Sequence, residues 1–247
     1  MKINLDKKQF LHNLLIPISK ISEECSINFT SDSIFSLIND LNKTTIIFGK
    51  IKTSTGIPDQ KALKINVKDI KKLVKVIECI DTDNFEIDVD DNCSQLSYKS
   101  KSISFKMHLV TDSVIRKVTT SLDKISKITF DSEFSLTQDK LSEILRGSIF
   151  ATDSNKIYFF TKDGNVFAEL TDKTTDNLDS VTFCITDKFT GGQLIDPLPF
   201  SLEFLRLLTT QKSEEIKVKI NTTYKILLFE ISNDLYTLKY ILSAYTK

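Results

Sequence analysis

The feature that most constrains the fold of this 247-residue chain is a unit that occurs four times. Each copy begins with a short apolar run, continues with a helix-capping residue and an amphipathic helical pattern, and ends with three strand-like runs. The period is roughly 65 residues. Caps are side chains whose oxygens accept hydrogen bonds from the unpaired N–H groups of a helix's first turn. The predicted caps are Asp6, Asn66, Thr137 and Ser201.

Branched and aromatic residues mark the strands that follow each helix. In the first copy they are "SINFT", "IFSLI" and "TIIFGKI", and in the third they are "KIYFFT", "NVFAEL" and "VTFCIT". This alternation predicts an α+β fold with largely antiparallel sheets and with helices gathered on one face. Pro17 lacks a backbone donor, so we expect it to kink the first helix or to end it early.

A segment with few helix or hairpin signals separates the second copy from the third. It reads "VTDSVIRKVTTSLDKIS" and suggests an extended connector between two similar domains. The predicted division is a first domain at 1–110, a connector at 111–126 and a second domain at 127–247.

Composition narrows the functional class. A hydrophobic content of 40% can bury a real core, and only 6 glycines and 4 prolines argue against long flexible linkers. No window approaches 18 consecutive apolar residues, and the N-terminus lacks a signal-peptide pattern. We therefore expect a soluble cytoplasmic protein whose four widely spaced cysteines are reduced, buried thiols.

The residues that would support catalysis or metal binding are missing. His12 and His108 stand far apart without a catalytic partner at known spacing, and the chain has no glycine-rich phosphate loop. The acidic run at 88–91 does not fit an EF-hand, because Cys93 and Lys99 occupy positions that need Gly and Glu. The sequence predicts no catalytic residue, no metal site and no cofactor.

One helical segment, "VKDIKKLVKVIE" at 67–78, carries four lysines in a chain whose formal net charge is +0. Its apolar residues fall on one stripe, with Lys68, Lys72 and Lys75 nearly opposite and Lys71 on the flank. Considered alone, this pattern is typical of a solvated surface helix. The alternative is a face that binds an anionic partner.

The fourfold unit, with a connector at its midpoint, resembles the sliding clamps of DNA replication. The similarity is to the trimeric class, which includes proliferating cell nuclear antigen, and more closely to the clamps of tailed phages. Three stretches carry it: "EFSLTQDKLSEILRGSIF", "KIYFFTKDGNVFAELTDKTTD" and "LYTLKYILSA".

The resemblance implies a homotrimeric ring of six clamp domains, with helices lining a central hole and sheets outside. Double-stranded DNA would pass through the hole, and an ATP-dependent clamp loader would open and close the ring. The clamp would tether a DNA polymerase and would itself catalyse nothing. Because such a ring must slide, flexible lysines suit its inner face better than bidentate arginines. The implied DNA-binding residues are Lys68, Lys71, Lys72, Lys75, Lys20, Arg146 and Arg206.

The resemblance also implies an apolar pocket beneath the connector, where polymerase and loader insert short peptides. The predicted pocket residues are Val118, Leu122, Ile125, Ile241, Ser243 and Ala244. The first-domain contributors, with Ile38 and Ile47 as examples, are not fixed by the resemblance. A second interpretation, compatible with the first, is that the aliphatic side chains only pin the connector to the sheet.

Two other classes of function stay open at this point. One is a monomeric or dimeric polymerase accessory subunit of the same fold, which would bind DNA on an open basic surface. The other is a structural or interaction protein built from repeated α+β units.

Overall fold

The computed structural model describes residues 1–58, 61–118, 120–151, 154–175, 179–209, 211 and 215–245. The chain divides into two compact units. Unit 1 comprises Met1–Ser126 and Ser232–Lys239, and unit 2 comprises Lys127–Ile231 and Tyr240–Lys247. The boundaries 1–110, 111–126 and 127–247 remain a prediction.

Unit 1 contains two antiparallel sheets. Strands β1, β6, β7 and β8 lie in that order in one sheet, and β4, β3, β2 and β5 lie in that order in the other. The β17 residues of this unit lie beside β4. The bounds are β1 (Lys2–Asp6), β2 (Cys25–Phe29), β3 (Ser33–Asn39), β4 (Thr45–Lys52), β5 (Leu63–Val67), β6 (Asn84–Val89), β7 (Gln95–Lys99), β8 (Ser104–His108) and β17 (Tyr236–Ser243).

Unit 2 repeats this plan. One antiparallel sheet has the order β12, β11, β10, β14, and another has the order β13, β9, β15, β16, next to which the rest of β17 lies. The predicted α+β class with antiparallel sheets is therefore confirmed. The bounds are β9 (Ser132–Thr137), β10 (Lys156–Lys162), β11 (Asn165–Leu170), β12 (Val181–Thr186), β13 (Phe189–Gly191), β14 (Pro199–Ser201), β15 (Glu215–Asn221) and β16 (Ile226–Ser232).

The helices are short and amphipathic. In α3, Ile70, Leu73 and Ile77 are buried, and in α5 Leu141 and Ile144 are buried. These apolar stripes anchor each helix to the core of its unit. The helical segments are α1 (Lys7–Phe10), α2 (Ile16–Ser19), α3 (Ile70–Glu78), α4 (Leu122–Ser126), α5 (Gln138–Gly147) and α6 (Glu203–Leu208), with a π-helical segment at Leu11–Leu15.

The first helix does not end early at Pro17. Helical structure runs from Lys7 to Ser19, but its middle, Leu11–Leu15, switches to the π-helical hydrogen-bond pattern. Pro17 lies in the first turn of α2, directly after that switch. The π-helical stretch is the irregularity in this continuous helix, and it lies directly before the residue that lacks a backbone donor.

Two of the four predicted caps are confirmed and two are wrong. The Asp6 carboxylate accepts from the Gln9 N–H at 2.7 Å, and the Thr137 hydroxyl accepts from the Lys140 N–H at 3.3 Å. Asn66 instead lies inside β5, and Ser201 ends β14 by pairing with Lys156.

The connector is not extended throughout. Its last part forms α4, and the Ser121 hydroxyl accepts from the Lys124 N–H at 3.3 Å. Ser121 therefore acts as the N-cap of α4, and the sequence prediction did not include it.

The thiols are free, but they are not all buried as predicted. Cys25 is buried and Cys93 is half-buried, whereas Cys79 and Cys184 are exposed. Burial raises the pKa of the Cys25 thiol to about 12, because the uncharged form is favoured away from water.

Candidate nucleic-acid interface

The lysine-rich helix α3 begins at a carboxylate cap. The Asp69 side chain accepts a hydrogen bond from the Lys72 N–H at 2.8 Å. The buried stripe of α3 then faces the core, and Lys71, Lys72 and Lys75 are exposed on the rest of the helix. The predicted angular arrangement is present for these three lysines. It is wrong for Val67 and Lys68, because Val67 ends β5 and exposed Lys68 lies between that strand and the cap Asp69.

These lysines line an open groove of about 840 Å³ within unit 1. Its other wall is strand β8, which contributes Lys106, Met107 and His108. Two acidic residues, Glu23 and Asp69, complete the lining. The groove therefore brings together five ammonium groups and one imidazole.

The positive charge of the groove is largely uncompensated. Lys71 lies 3.8 Å from Glu23, and both side chains are exposed, so this ion pair contributes little. The Asp69 carboxylate is already engaged at the helix N-terminus. Lys68, Lys72 and Lys75 form no ion pair with any described residue, which leaves their ammonium groups available to an anion.

The sequence interpretation missed the contribution of β8. Lys106 and His108 are two residues apart on one strand, and both are exposed. That alternation is a usable signal, since side chains two apart in a strand point the same way. What the sequence does not reveal is that β8 borders the same groove as α3.

The remaining predicted DNA contacts are dispersed. Lys20 is exposed after the end of α2, and partial burial lowers its pKa. Arg146 in α5 is exposed near the end of that helix. Arg206 in α6 is also exposed and lines a separate cavity of about 400 Å³ in unit 2. None of these three residues lines the groove beside α3.

The polar face of α5 differs from that of α3. Asp139 is exposed in its first turn, and Lys140 is paired with Glu143 at 2.8 Å. Opposite charges alternate along this face, so it lacks the run of lysines seen on α3.

The predicted pocket residues of the connector belong to unit 1. Val118 is half-buried against a small cavity of about 20 Å³ that Ile38 also lines, and Ile125 is buried in α4. The side chain of Leu122 lies outside the described residues. Pinning of the connector is thus visible for Val118.

The other predicted pocket residues belong to unit 2. Ile241 and Ala244 are buried, whereas Ser243 is exposed. The Ala244 N–H donates to the Lys225 carbonyl at 2.8 Å, which fixes the end of β17 within its own unit. The pocket itself remains a prediction.

No three His, Cys, Asp or Glu side chains among the described residues come together in a way that could hold a metal ion. Within the same part of the chain, no helix is both long and apolar enough to cross a membrane.

Comparison with known proteins finds matches by structure but none by sequence. No protein-family model matches the chain, and no curated protein matches it by sequence. Solved structures of proliferating cell nuclear antigen (PCNA) match it over its whole length.

Three of these matches illustrate the similarity. PCNA of A. fulgidus, solved with the C-terminal region of FEN-1 bound, has a TM-score of 0.79 at 19% identity, covering 100% of this chain and 98% of that one. PCNA of Entamoeba histolytica has a TM-score of 0.75 at 12% identity, covering 99% and 98%. The PCNA2–PCNA3 complex of Sulfolobus tokodaii gives 0.75 at 14% identity, covering 100% of both chains. The chain therefore has the fold of the PCNA sliding clamps.

Proposed function

We propose that this protein is a DNA sliding clamp, a processivity factor that encircles double-stranded DNA as a homotrimeric ring. It tethers a replicative DNA polymerase and is placed on DNA by an ATP-dependent clamp loader. It catalyses no reaction and needs no cofactor. Its two clamp domains are 1–110 and 127–247, joined by the connector at 111–126, and it works in the cytoplasm, that of a bacterial host if the protein is viral.

The observation that carries this proposal is the cluster of exposed lysines on α3 and just before its cap. Duplex DNA has about one negative charge per 1.7 Å of axis, so a protein that surrounds DNA without reading its sequence needs basic side chains facing the phosphates. Lys68, Lys72 and Lys75 supply them without a carboxylate partner among the described residues. A net charge of +0 is compatible with this role, because only the inner surface has to be positive.

Self-association is supported by two outer strands. β8 is the last strand of its sheet in unit 1, and β12 is the last strand of its sheet in unit 2. The outer edges of both strands have no backbone partner among the described residues. We propose that β8 of one subunit pairs with β12 of the next, which would satisfy both edges and close the ring.

Partner binding is proposed by analogy with the A. fulgidus protein, which was solved with the C-terminal region of FEN-1 bound. In this chain, the peptide pocket would use Val118, Leu122, Ile125, Ile241, Ser243 and Ala244. Similarity to tailed-phage clamps in particular remains part of the proposal.

The DNA role can be tested without a loader, because a short blunt duplex can thread through a closed ring. The test variant is Lys68→Glu, Lys72→Glu and Lys75→Glu combined. At low salt it should bind a fluorescent duplex at least about 100-fold more weakly than the unchanged protein, with a flatter dependence on salt, since three phosphate contacts per subunit are lost.

The matched control reverses three exposed lysines that do not line the groove: Lys52→Glu, Lys99→Glu and Lys101→Glu. It carries the same total charge as the test variant and should bind far more tightly. Two duplexes of unrelated sequence should behave alike. Equal weakening of binding by both triple variants would show that α3 is not the DNA-facing surface.

A further inference from the structure

The connector segment 111–118, which we call the strap, is fastened to the rest of unit 1 through two carboxylates. At the first, Asp112 Oδ1 accepts hydrogen bonds from Lys64 Nζ at 2.6 Å and from Asn66 Nδ2 at 2.8 Å. Asn66 is 7% exposed, and its own Oδ1 accepts from the Ser26 hydroxyl at 2.6 Å. A continuous chain of hydrogen bonds therefore connects β2 and β5 to the strap.

The second fastening lies a few residues further along the strap. Glu24 Oε1 accepts a hydrogen bond from the Arg116 N–H at 3.1 Å, and Arg116 Nε lies 3.8 Å from the same oxygen. Glu24 thus holds both the backbone and the side chain of Arg116. The strap itself contains no helix or strand, so these side-chain contacts take the place of a regular ladder.

Apolar side chains fill the space beneath the strap. Ile115 and Val118 from the strap and Cys25, Leu37 and Ile38 from the sheet surround a cavity of about 20 Å³. A space of this size holds roughly one water molecule. Cys25 is 1% exposed there, so its sulfur is shielded from solvent.

The first fastening is the more exposed of the two, since Glu24 in the second keeps only 19% of its side-chain surface exposed. Lys64 and Asp112 keep 45% and 69% of their side-chain surface exposed, and an exposed ion pair contributes little to stability. Lifting the strap would cost these contacts and the apolar contacts of Ile115 and Val118. The hydrogen bond from the Val110 N–H to the Asn66 carbonyl at 3.1 Å marks its fixed end. The strands that it covers would stay paired with one another.

We propose that the strap opens as a unit while unit 1 stays folded, and that Asp112 and Glu24 set how often it does so. Opening uncovers the apolar surface around Cys25 and Ile38. On the proposed clamp function, on which only this last step rests, the opening regulates how readily the connector side of the peptide pocket accepts a partner.

Cys25 gives a direct readout of opening. The background for the measurement is the variant Cys79→Ser, Cys93→Ser and Cys184→Ser, which leaves Cys25 as the only thiol. A small aromatic disulfide reagent reports each exposure of Cys25 by absorbance. Adding Glu24→Ala and Asp112→Ala should accelerate labelling at least about tenfold, because each opening then breaks fewer contacts.

The matched control is Asp172→Asn in unit 2, where Lys156 Nζ lies 2.7 Å from Asp172 Oδ1. It should leave the labelling rate unchanged. If removal of Asp112 unfolds the protein by leaving the Asn66 amide without its acceptor, Lys64→Ala with Glu24→Ala replaces it. That pair retains the hydrogen bond from Asn66 to Asp112.

Two results would overturn the proposal. One is an unchanged labelling rate in the strap variants. The other is labelling that requires global unfolding. In that case denaturant would change the rate of Cys25 labelling and the rate at which circular dichroism is lost by the same factor. Neither readout involves DNA or a partner, so a failed DNA-binding test leaves this proposal standing and the reverse also holds.

Discussion

Helices α3 and α5 occupy corresponding places in two copies of one unit, yet their exposed faces carry different charge patterns. Each follows a strand, starts at a side-chain cap and buries an apolar stripe. On the solvent side, α3 carries three exposed lysines, with exposed Lys68 just before its cap, whereas α5 alternates acidic and basic residues and pairs Lys140 with Glu143. The repeated fold thus specifies the buried face and leaves the other face free to differ.

Truncating a buried leucine should lower the free energy of unfolding by a similar amount in either helix. Leu73 is 1% exposed and Leu141 is 0% exposed. Replacing either by Ala should lower the free energy of unfolding by about 2–5 kcal/mol, since each change leaves a cavity in a packed core. Chemical denaturation of both variants checks this. A loss below about 1 kcal/mol for one of them would break the equivalence of the two helices.

Removal of the N-cap should destabilise the protein more at α3 than at α5. Asp69 holds the Lys72 N–H at 2.8 Å with a carboxylate, whereas Thr137 holds the Lys140 N–H at 3.3 Å with a hydroxyl. We expect Asp69→Ala to cost about 1–2 kcal/mol and Thr137→Ala about 0.5–1 kcal/mol, because a charge also interacts favourably with the helix dipole. Thermal unfolding supplies the measurement. Ser201→Ala, at a rejected cap position, is the control, and a loss as large as that of Asp69→Ala would contradict the assignment.

The polar face of α5 should oppose DNA binding, whereas that of α3 should favour it. Neutralising α5 with Asp139→Asn and Glu143→Gln should raise affinity for a short duplex by about two- to fivefold, as repulsion of the phosphates is removed and Lys140 is released. Anisotropy titration at low salt measures this change, and raising the salt should diminish it. Unchanged or weaker binding would indicate that α5 lies away from DNA.

Local sequence patterns predicted most of the strands and helices, because hydrophobic periodicity reflects burial directly. The wrong predictions are at residues whose secondary structure depends on contacts with residues far away in the sequence. The neighbours of Asn66 in sequence predict a helix cap, but hydrogen bonds with Ser26 and Asp112 hold it within a strand. The neighbours of Ser201 predict a cap in the same way, and pairing with Lys156 keeps it in β14.

The candidate site was predicted only in part for the same reason. The helical spacing of Lys68, Lys72 and Lys75 can be read along a single segment. The presence of Lys106 and His108 at the same groove depends on where β8 lies beside α3, which a linear pattern does not contain. Ser121, by contrast, is a local signal for α4 that could have been recognised from the sequence.

The most direct test of the central claim is single-particle electron microscopy of the purified protein at micromolar concentration. A sliding clamp should appear as a closed ring with six lobes and a central hole, with the mass of three 28.1 kDa chains. A solid particle with the mass of one or two chains would contradict the ring. It would favour instead an accessory subunit of the same fold that binds DNA on an open surface.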